Sequence, residues 1–178
     1  LWIADIYSLV CAPLLATAAG CASAPPPPMP TVASVDLPKF MGRWYVIGNI
    51  PTRIEREAYN AVETYTLAPD GTIDTVFTMR KGSFDGPLKT YNPRGFVVDS
   101  DSNALWGMQF IWPIKADYRI IYLSPDYSTT VIGRQKRDYV WIMARTPTMP
   151  AADYDRLLRQ LAAWGYDTTQ VQPVPQRW

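Results

Sequence analysis

The stretch FMGRWYVIGNIPTRIERE, residues 40–57, is the most informative part of this chain. Glycine, arginine, tryptophan and tyrosine follow one another at residues 42–45, and then come an apolar run, a proline and a group of charged residues. The run up to Ile50 has the β-branched and aromatic composition of a strand. Trp44, the bulkiest side chain here, thus stands at the beginning of a predicted strand, two residues after Gly42. The rest of the chain must explain that position.

Composition restricts the classes of function. The 178 residues fit one domain, and the 17 basic and 16 acidic residues leave a net charge of +1. This balance argues against a nucleic-acid partner, which needs a basic stripe. Aromatic residues make up 13% of the chain, enough to require a large core or an aromatic-lined cavity. With no histidine, Ser-His-Asp and Cys-His catalysis and His-ligated zinc are excluded, and no metal or cofactor is predicted.

Residues 1–20 have the character of a leader, because they are nearly all apolar or small and Asp5 is their only charge. The small residues 18–20 directly before Cys21 resemble the lipobox of a bacterial lipoprotein signal. If the match holds, Cys21 becomes the lipidated first residue of the mature chain, held by acyl chains such as palmitate. Ala22 at the next position then implies sorting to the outer membrane, with the protein facing the periplasm.

Two alternatives to lipidation remain open for the leader. One is a plain signal peptide cut after Ala18 or Ala24, and the other is an N-terminal transmembrane anchor. Both cysteines, Cys11 and Cys21, lie in or directly after the leader, so a disulfide or thiolate nucleophile is not expected in the folded part. Residues 21–34 are rich in proline and predict an extended tether, followed by one domain over residues 35–178.

The domain shows a series of short apolar and β-branched runs separated by turn signals, which predicts strands. The predicted strands are 43–50, 61–67, 72–80, 88–98, 104–111, 118–123, 128–133 and 139–145. Eight consecutive strands with short turns favour an all-β fold, an up-and-down antiparallel barrel that closes to remove its edges. Residues 151–166 then place Leu157, Leu161 and Trp164 on one helical face, which predicts an amphipathic α-helix packed on the outside of the barrel.

Three motifs in order resemble those of the lipocalin family. Gly42-Arg43-Trp44 is similar to its first motif, SPDYSTTVIG with Asp126 and Tyr127 to its second, and YVWIMARTP with Arg145 to its third. The resemblance covers about residues 35–171. The most similar subgroup comprises the bacterial outer-membrane lipocalins and their eukaryotic relatives of the apolipoprotein D type.

The resemblance implies a structural role for Trp44 at the closed end of the barrel, with Arg145 covering its indole and Gly42 making room for the backbone. A contact between Trp44 and a ligand is the alternative. The loop over residues 50–57 would lie at the open mouth, where its charged side chains either control access or are simply solvated.

The ligand-facing wall should come from one parity of the strand residues. Its predicted members are apolar or aromatic, apart from one glycine: Val46, Gly48, Ile50, Tyr65, Phe77, Met79, Trp106, Met108, Phe110, Tyr118, Tyr122 and Trp141. An error of one residue in register would invert this set. The carboxylate pairs Asp70/Asp74 and Asp99/Asp101 lie in or beside predicted turns, so no catalytic residue is predicted.

The function implied by the resemblance is the non-covalent binding, storage or transport of a fatty acid or lysophospholipid by a membrane-anchored lipocalin that supports the cell envelope. Its partners would be a lipid or other small hydrophobic ligand and the membrane that holds the anchor at Cys21; a homodimer is left open. One alternative is an enzyme built on the same barrel. Another is a structural envelope protein that binds a partner through its outer face.

Overall fold

The computed structural model describes residues 27–178, in which the strands form one closed antiparallel barrel. The strands are β1 (Gly42–Ile50), β2 (Ala58–Leu67), β3 (Ile73–Lys81), β4 (Leu88–Tyr91), β5 (Arg94–Val97), β6 (Leu105–Ile111), β7 (Ile114–Leu123), β8 (Thr129–Gly133), β9 (Val140–Ala144) and β10 (Gln172–Pro173). The strands pair in the order β1-β2-β3-β5-β6-β7-β8-β9, β4 also pairs with β3, β10 pairs with β1, and β9 returns to pair with β1. The predicted eight-stranded barrel is confirmed, with β4 and β5 together in the place of the fourth strand.

The fourth predicted strand is interrupted at Asn92 and Pro93. Proline has no backbone N–H to give to a ladder and fixes its own φ, so a continuous strand cannot run through it. β4 pairs with the half of β3 near the open end, and β5 pairs with the beginning of β3. The Pro93 carbonyl accepts a hydrogen bond from the Thr75 backbone N–H at 3.1 Å, so the interruption stays attached to β3.

The predicted outer helix is present as α2 (Ala151–Ala163). It is shorter than the predicted 151–166 because Gly165, at φ +86°, turns the chain out of the helix. A short helix, α1 (Leu37–Phe40), precedes β1 and is capped by the Asp36 carboxylate, which accepts from the Lys39 N–H at 3.2 Å. Within residues 27–178, no helix is long and apolar enough to cross a bilayer.

Buried side chains form two layers. The first fills the barrel and includes Trp44, Tyr65 and Trp106. The second lies between the barrel wall and α2, where Leu157 and Leu161 are almost fully buried. The two-sided apolar character of the strand sequences follows from this arrangement, because the same strands face a core on one side and a helix on the other.

Residues 27–36 run along the barrel wall from the open end to the closed end. The carbonyl of Pro27 accepts from the Arg137 guanidinium at 2.8 Å, and the Met29 N–H donates to the Gln135 side chain at 2.8 Å. Further along, the N–H of Val32 donates to the carbonyl of Ile120. The last part of the predicted tether thus lies on the barrel. Its first part, the leader and Cys21 are outside the described residues, and the division at residue 35 stays a prediction.

The segment after α2 completes the wall between β1 and β2. These two strands pair only from Gly42 to Tyr45, and β10 takes over the pairing at Gly48 and Asn49. The side chain of Gln176 bridges both strands, because its amide nitrogen donates to the carbonyl of Val46 at 2.7 Å and to that of Ala61 at 3.1 Å.

The closed end of the barrel is sealed by Trp44 and Arg145. The Trp44 indole is fully buried and donates to the Phe40 carbonyl at 2.9 Å. The Arg145 guanidinium carbon lies 3.8 Å from the centre of the indole ring. Its N–H groups also reach the carbonyls of Arg43, Lys39 and Phe40, at 2.9, 2.7 and 3.0 Å.

We expect Arg145→Lys to lower the free energy of unfolding by about 2–4 kcal/mol, because an ammonium cannot both cover the indole and serve these carbonyls. Urea denaturation followed by tryptophan fluorescence measures the change. Arg94→Lys is the matched control, since Arg94 is half exposed in its pairing with Asp74 and should change stability by less than about 0.5 kcal/mol. Equal losses in the two variants would contradict a structural role for the closed end.

Candidate functional site

A cavity of about 470 Å³ opens at the end of the barrel opposite Trp44. Its wall is largely aromatic and apolar, with Phe77, Tyr91, Met108, Phe110, Tyr118 and Trp141 among the lining residues. A volume of this size lies within the range of small-molecule sites, and apolar surface gives affinity in proportion to the area removed from water.

The residues predicted for the ligand wall fall into three groups. Five line the cavity: Phe77, Met108, Phe110, Tyr118 and Trp141. Four belong to the packed barrel interior around it: Val46, Tyr65, Met79 and Trp106. The remaining three, Gly48, Ile50 and Tyr122, lie on the outer face, and for these the predicted parity is corrected.

Two β-bulges cause this correction. The pairing of β1 with β9 shifts between Val46 and Gly48, and the pairing of β7 with β8 shifts between Ile120 and Tyr122. Each extra residue reverses the alternation of the side chains that follow it. Gly48 therefore approaches Tyr154 of α2 so closely that a Cβ would not fit, Ile50 joins the layer under α2, and Tyr122 packs against that layer.

The loop between β1 and β2 folds over the mouth through one buried carboxylate. Glu55 is only 4% exposed, and its oxygens accept from the Trp141 indole N–H at 2.5 Å and from the Thr52 backbone N–H at 3.0 Å. Arg53 and Arg56 are both exposed, and Arg53 also lines the cavity. The charged residues of this loop thus divide between a fixed contact with the wall and solvated positions.

A second carboxyl group, Glu63 on β2, lies inside the barrel. It stands between Ala61 and Tyr65, whose side chains both belong to the barrel interior, and it lines the cavity. The side chain of Glu63 keeps some accessible surface. Because Glu63 lies inside the barrel, that surface faces the cavity. The Tyr65 hydroxyl donates to Glu63, and the hydroxyl oxygens of Tyr65 and Tyr118 are 2.5 Å apart.

The surroundings of Glu63 favour its protonated form. Burial, and after it the negative charge of Glu55, raise the pKa of Glu63 to about 8. Burial and the charge of Glu63 also raise the pKa of Tyr118 well above its usual value. Glu63 was missed from the sequence because a charge within a strand usually marks the solvated face. The signal that identifies it is its shared parity with Tyr65.

The second motif forms a turn at the closed end. The Asp126 carboxylate accepts hydrogen bonds from the hydroxyls of Ser124 and Ser128 at 2.6 and 2.8 Å, and the bond from Ser124 is the largest cause that lowers the pKa of Asp126 to about 2. Tyr127 adopts a positive φ of 58° and offers its carbonyl to Arg145 at 3.3 Å. These contacts keep the turn beside Arg145 and away from the cavity.

Within residues 27–178, no group of His, Cys, Asp and Glu comes together in an arrangement that could hold a metal ion. The cavity offers an apolar wall, the three carboxyl groups of Glu55, Glu63 and Asp117, and the tyrosine hydroxyls next to Glu63.

Glu63 should make stability depend on pH in an identifiable window. Because its folded-state pKa is above its ordinary value of 4.5, its contribution to the free energy of unfolding is full below about pH 4.5 and falls as the pH rises to about 8. The limiting slope is about 1.4 kcal/mol per pH unit. Urea denaturation from pH 4.5 to 9 should show this slope for the wild type relative to Glu63→Gln.

Glu57→Gln is the control for this measurement, because the Glu57 side chain is 73% exposed and its removal should leave the pH profile of the wild type intact. A constant difference between the wild type and Glu63→Gln across the pH range would show that Glu63 is charged and solvated in the folded state.

Comparison with known proteins gives the family of this chain. The family model described as the lipocalin-like domain matches residues 35–176. Temperature-induced lipocalin-1 of Arabidopsis thaliana is 31% identical over 159 residues, which cover 83% of this chain and 83% of that protein. The outer membrane lipoprotein Blc of Citrobacter freundii is 29% identical over 175 residues, covering 98% and 97%.

Solved structures share the same fold. Insecticyanin from the tobacco hornworm Manduca sexta superimposes with a TM-score of 0.66 at 11% sequence identity, over 84% of this chain and 85% of that chain. The cockroach allergen Per a 4 superimposes with a TM-score of 0.63 at 17% identity, over 83% and 92%. At these identities the likeness concerns the barrel and its outer helix.

Proposed function

The chain belongs to the lipocalin family, and on that premise we propose that its barrel binds a lipid, for storage or transport at the bacterial outer membrane. The observation that carries the proposal is the apolar, aromatic-walled cavity of about 470 Å³, which is closed at one end by Trp44 and open at the other. Burial of an acyl chain in such a cavity supplies affinity of about 25 cal/mol per Å² of apolar surface, less the entropy lost on binding.

The proposed ligands are fatty acids or lysophospholipids, whose single-chain tail suits a cavity of this size. The tail would lie against Phe77 and Met108, which are inside the barrel, while the head group remains closer to the mouth. The mouth carries both signs of charge, because Arg53 and Arg134 line it together with Asp117. This mixture can accommodate a zwitterionic or anionic head.

The proposed location follows from two supports. The leader resembles a lipoprotein signal that ends at Cys21, and four bacterial relatives are named outer membrane lipoprotein Blc, among them those of Citrobacter freundii and Vibrio cholerae. We infer a lipid anchor at Cys21 and a role in envelope maintenance. The mechanism is non-covalent and requires no catalytic group.

We expect Ala116→Trp to weaken the binding of a fluorescent fatty acid by about tenfold or more, because the indole would fill the cavity that Ala116 lines. Thr66→Trp is the matched control, since Thr66 is exposed on the outer wall of β2. Fluorescence titration of the full chain gives both affinities, and native mass spectrometry of the purified protein should detect bound lipid. A wild-type barrel that is empty and does not bind fatty acids of several chain lengths would refute the proposal.

A further inference from the structure

We propose that the inner end of the cavity is a subsite for a cationic or hydrogen-bond-donating head group, so that a lipophilic ammonium ligand enters head first and contacts Glu63. This inference rests on the proposed lipid-binding function and names the ligand class that the inner cavity prefers. It concerns an orientation opposite to that of a fatty acid, whose carboxylate would stay at the mouth.

The charge of the cavity favours a cationic head group at its inner end. Glu63 and Glu55 both present carboxyl groups to it, at the inner wall and under the loop. Among residues 27–178, the ion pairs involve other carboxylates, and Glu63 contacts the Tyr65 hydroxyl instead of a cation. Once Glu63 has lost its proton, a fatty-acid carboxylate beside it would meet a group of the same sign, whereas an ammonium would supply a counter-charge.

The aromatic wall next to Glu63 also favours a cation. Tyr118 stacks on Trp106 with ring centres 5.4 Å apart, and it faces Trp141 with ring centres 6.4 Å apart. The faces of indole and phenol rings attract cations, and quaternary ammonium ligands are recognised by groups of such rings. Trp141 is held in place by its hydrogen bond to Glu55, so the ring and the second carboxylate are positioned together.

The other carboxyl groups of the cavity already have partners, which leaves Glu63 for a bound cation. The titratable and charged groups that line the cavity with Glu63 are Arg53 and Glu55 on the loop, Tyr91, Asp117 and Tyr118 on the wall, and Arg134 and Tyr139 near the mouth; Tyr65 lies beside Glu63 on β2. Arg134 is occupied by Asp138 at 3.4 Å and by the Tyr139 ring. Asp117 is occupied by Arg119 at 2.9 Å. Glu55 is held by the Trp141 indole N–H and the Thr52 backbone N–H. Among the carboxyl groups of the cavity, Glu63 is therefore the one that a cation would recruit.

The chemistry makes affinity depend on pH. The pKa of Glu63 is about 8, and a cation bound beside it would stabilise the carboxylate form and so favour loss of the proton. The affinity for a quaternary ammonium ligand, whose own charge does not titrate, should therefore rise as the pH is raised from 6 to 9. The affinity for a carboxylate ligand should remain level or fall over the same range.

The test compares three ligands that share a ten-carbon alkyl tail: decyltrimethylammonium, decanol and decanoate. Each is titrated into the full-length protein by calorimetry at pH 6, 7.5 and 9. We expect the ammonium to bind at least about tenfold more tightly than decanoate at pH 7.5. We also expect Glu63→Gln to abolish both the preference of the ammonium over decanol and its pH dependence. Glu57→Gln, on the exposed surface, should retain both.

The outcomes separate this inference from the proposed function. If decanoate binds as tightly as the ammonium, or if Glu63→Gln keeps the wild-type preference, the cationic subsite is refuted while lipid binding stands. If none of the three ligands binds to the wild type, the proposed lipid-binding function itself fails.

A separate observation carries a second inference: we propose that the open end of the barrel contacts the bilayer surface through the β6–β7 hairpin tip, residues 110–114. Phe110, Ile111, Trp112 and Ile114 are 51%, 72%, 82% and 68% exposed. Exposed apolar side chains of this size, grouped at one place, are typical of a contact with a membrane or a partner. Phe110 and Ile111 also line the cavity, so the tip forms part of its rim.

The path of the chain favours the bilayer as the occupant. Pro27 is fixed at the open end by Arg137, and it follows Cys21 by six residues, which reach at most about 20 Å. β1 alone has nine residues and extends for about 30 Å. If Cys21 is anchored as proposed, the mouth and the hairpin tip are held on the side of the molecule that faces the lipid.

The test uses the full chain with Cys21→Ser, so that binding does not depend on an anchor, and sedimentation with phosphatidylethanolamine–phosphatidylglycerol vesicles. Trp112→Ser combined with Ile114→Ser should lower the partition coefficient by about tenfold or more. Leu67→Ser combined with Val98→Ser is the matched control, because these exposed residues lie at the closed end. Equal partitioning of the two double variants, or no vesicle binding by the parent, would overturn the inference. Membrane association of the wild type that is lost with Cys21→Ser would, by contrast, support the anchor alone.

Discussion

The cation–π contact between Arg145 and Trp44 is the interaction on which the rest of the structure depends. It joins the first barrel strand to the residue that directly follows the last one, and it closes the end at which α1 enters. The guanidinium also donates to the carbonyls of Arg43 and Phe40, which ties the segment before β1 to the end of β9. Because this end is sealed, the interior can remain partly unfilled at the other end without admitting water from both sides. A ligand cavity in a small barrel requires such an asymmetry.

The fold was predictable from the sequence because its main signals are local. Turn residues, strand composition and the helical spacing of Leu157, Leu161 and Trp164 predicted the barrel and its outer helix, and the family motifs placed Trp44 and Arg145 correctly at one end. The bulges after Val46 and Ile120 could not be predicted, since an extra residue in one strand leaves no mark on composition. For this reason the parity argument holds for Phe77 and Met108 but does not extend to Gly48, Ile50 and Tyr122.

The cavity also shows where a composition rule misleads. A search for apolar lining residues passes over Glu63 and Glu55, although both contribute to the inside of the barrel. Their cost of burial is offset by hydrogen bonds from Tyr65, Trp141 and Thr52, and by the proton that Glu63 keeps. Specificity in such a site arises from a few polar groups in an apolar wall, so the residues that break the pattern are the informative ones.

The wedge formed by residues 172–177 between β1 and β2 has a consequence for the order of biosynthesis. These residues are synthesised after β1–β9, yet Gln176 and the Asn60–Pro175 hydrogen bond hold the first two strands together beyond Tyr45. Until they emerge, the nascent chain carries an unsealed seam with free backbone groups along β1 and β2. A chain in which residues 172–177 have not yet docked therefore has β1–β9 in place and still has an open wall between β1 and β2.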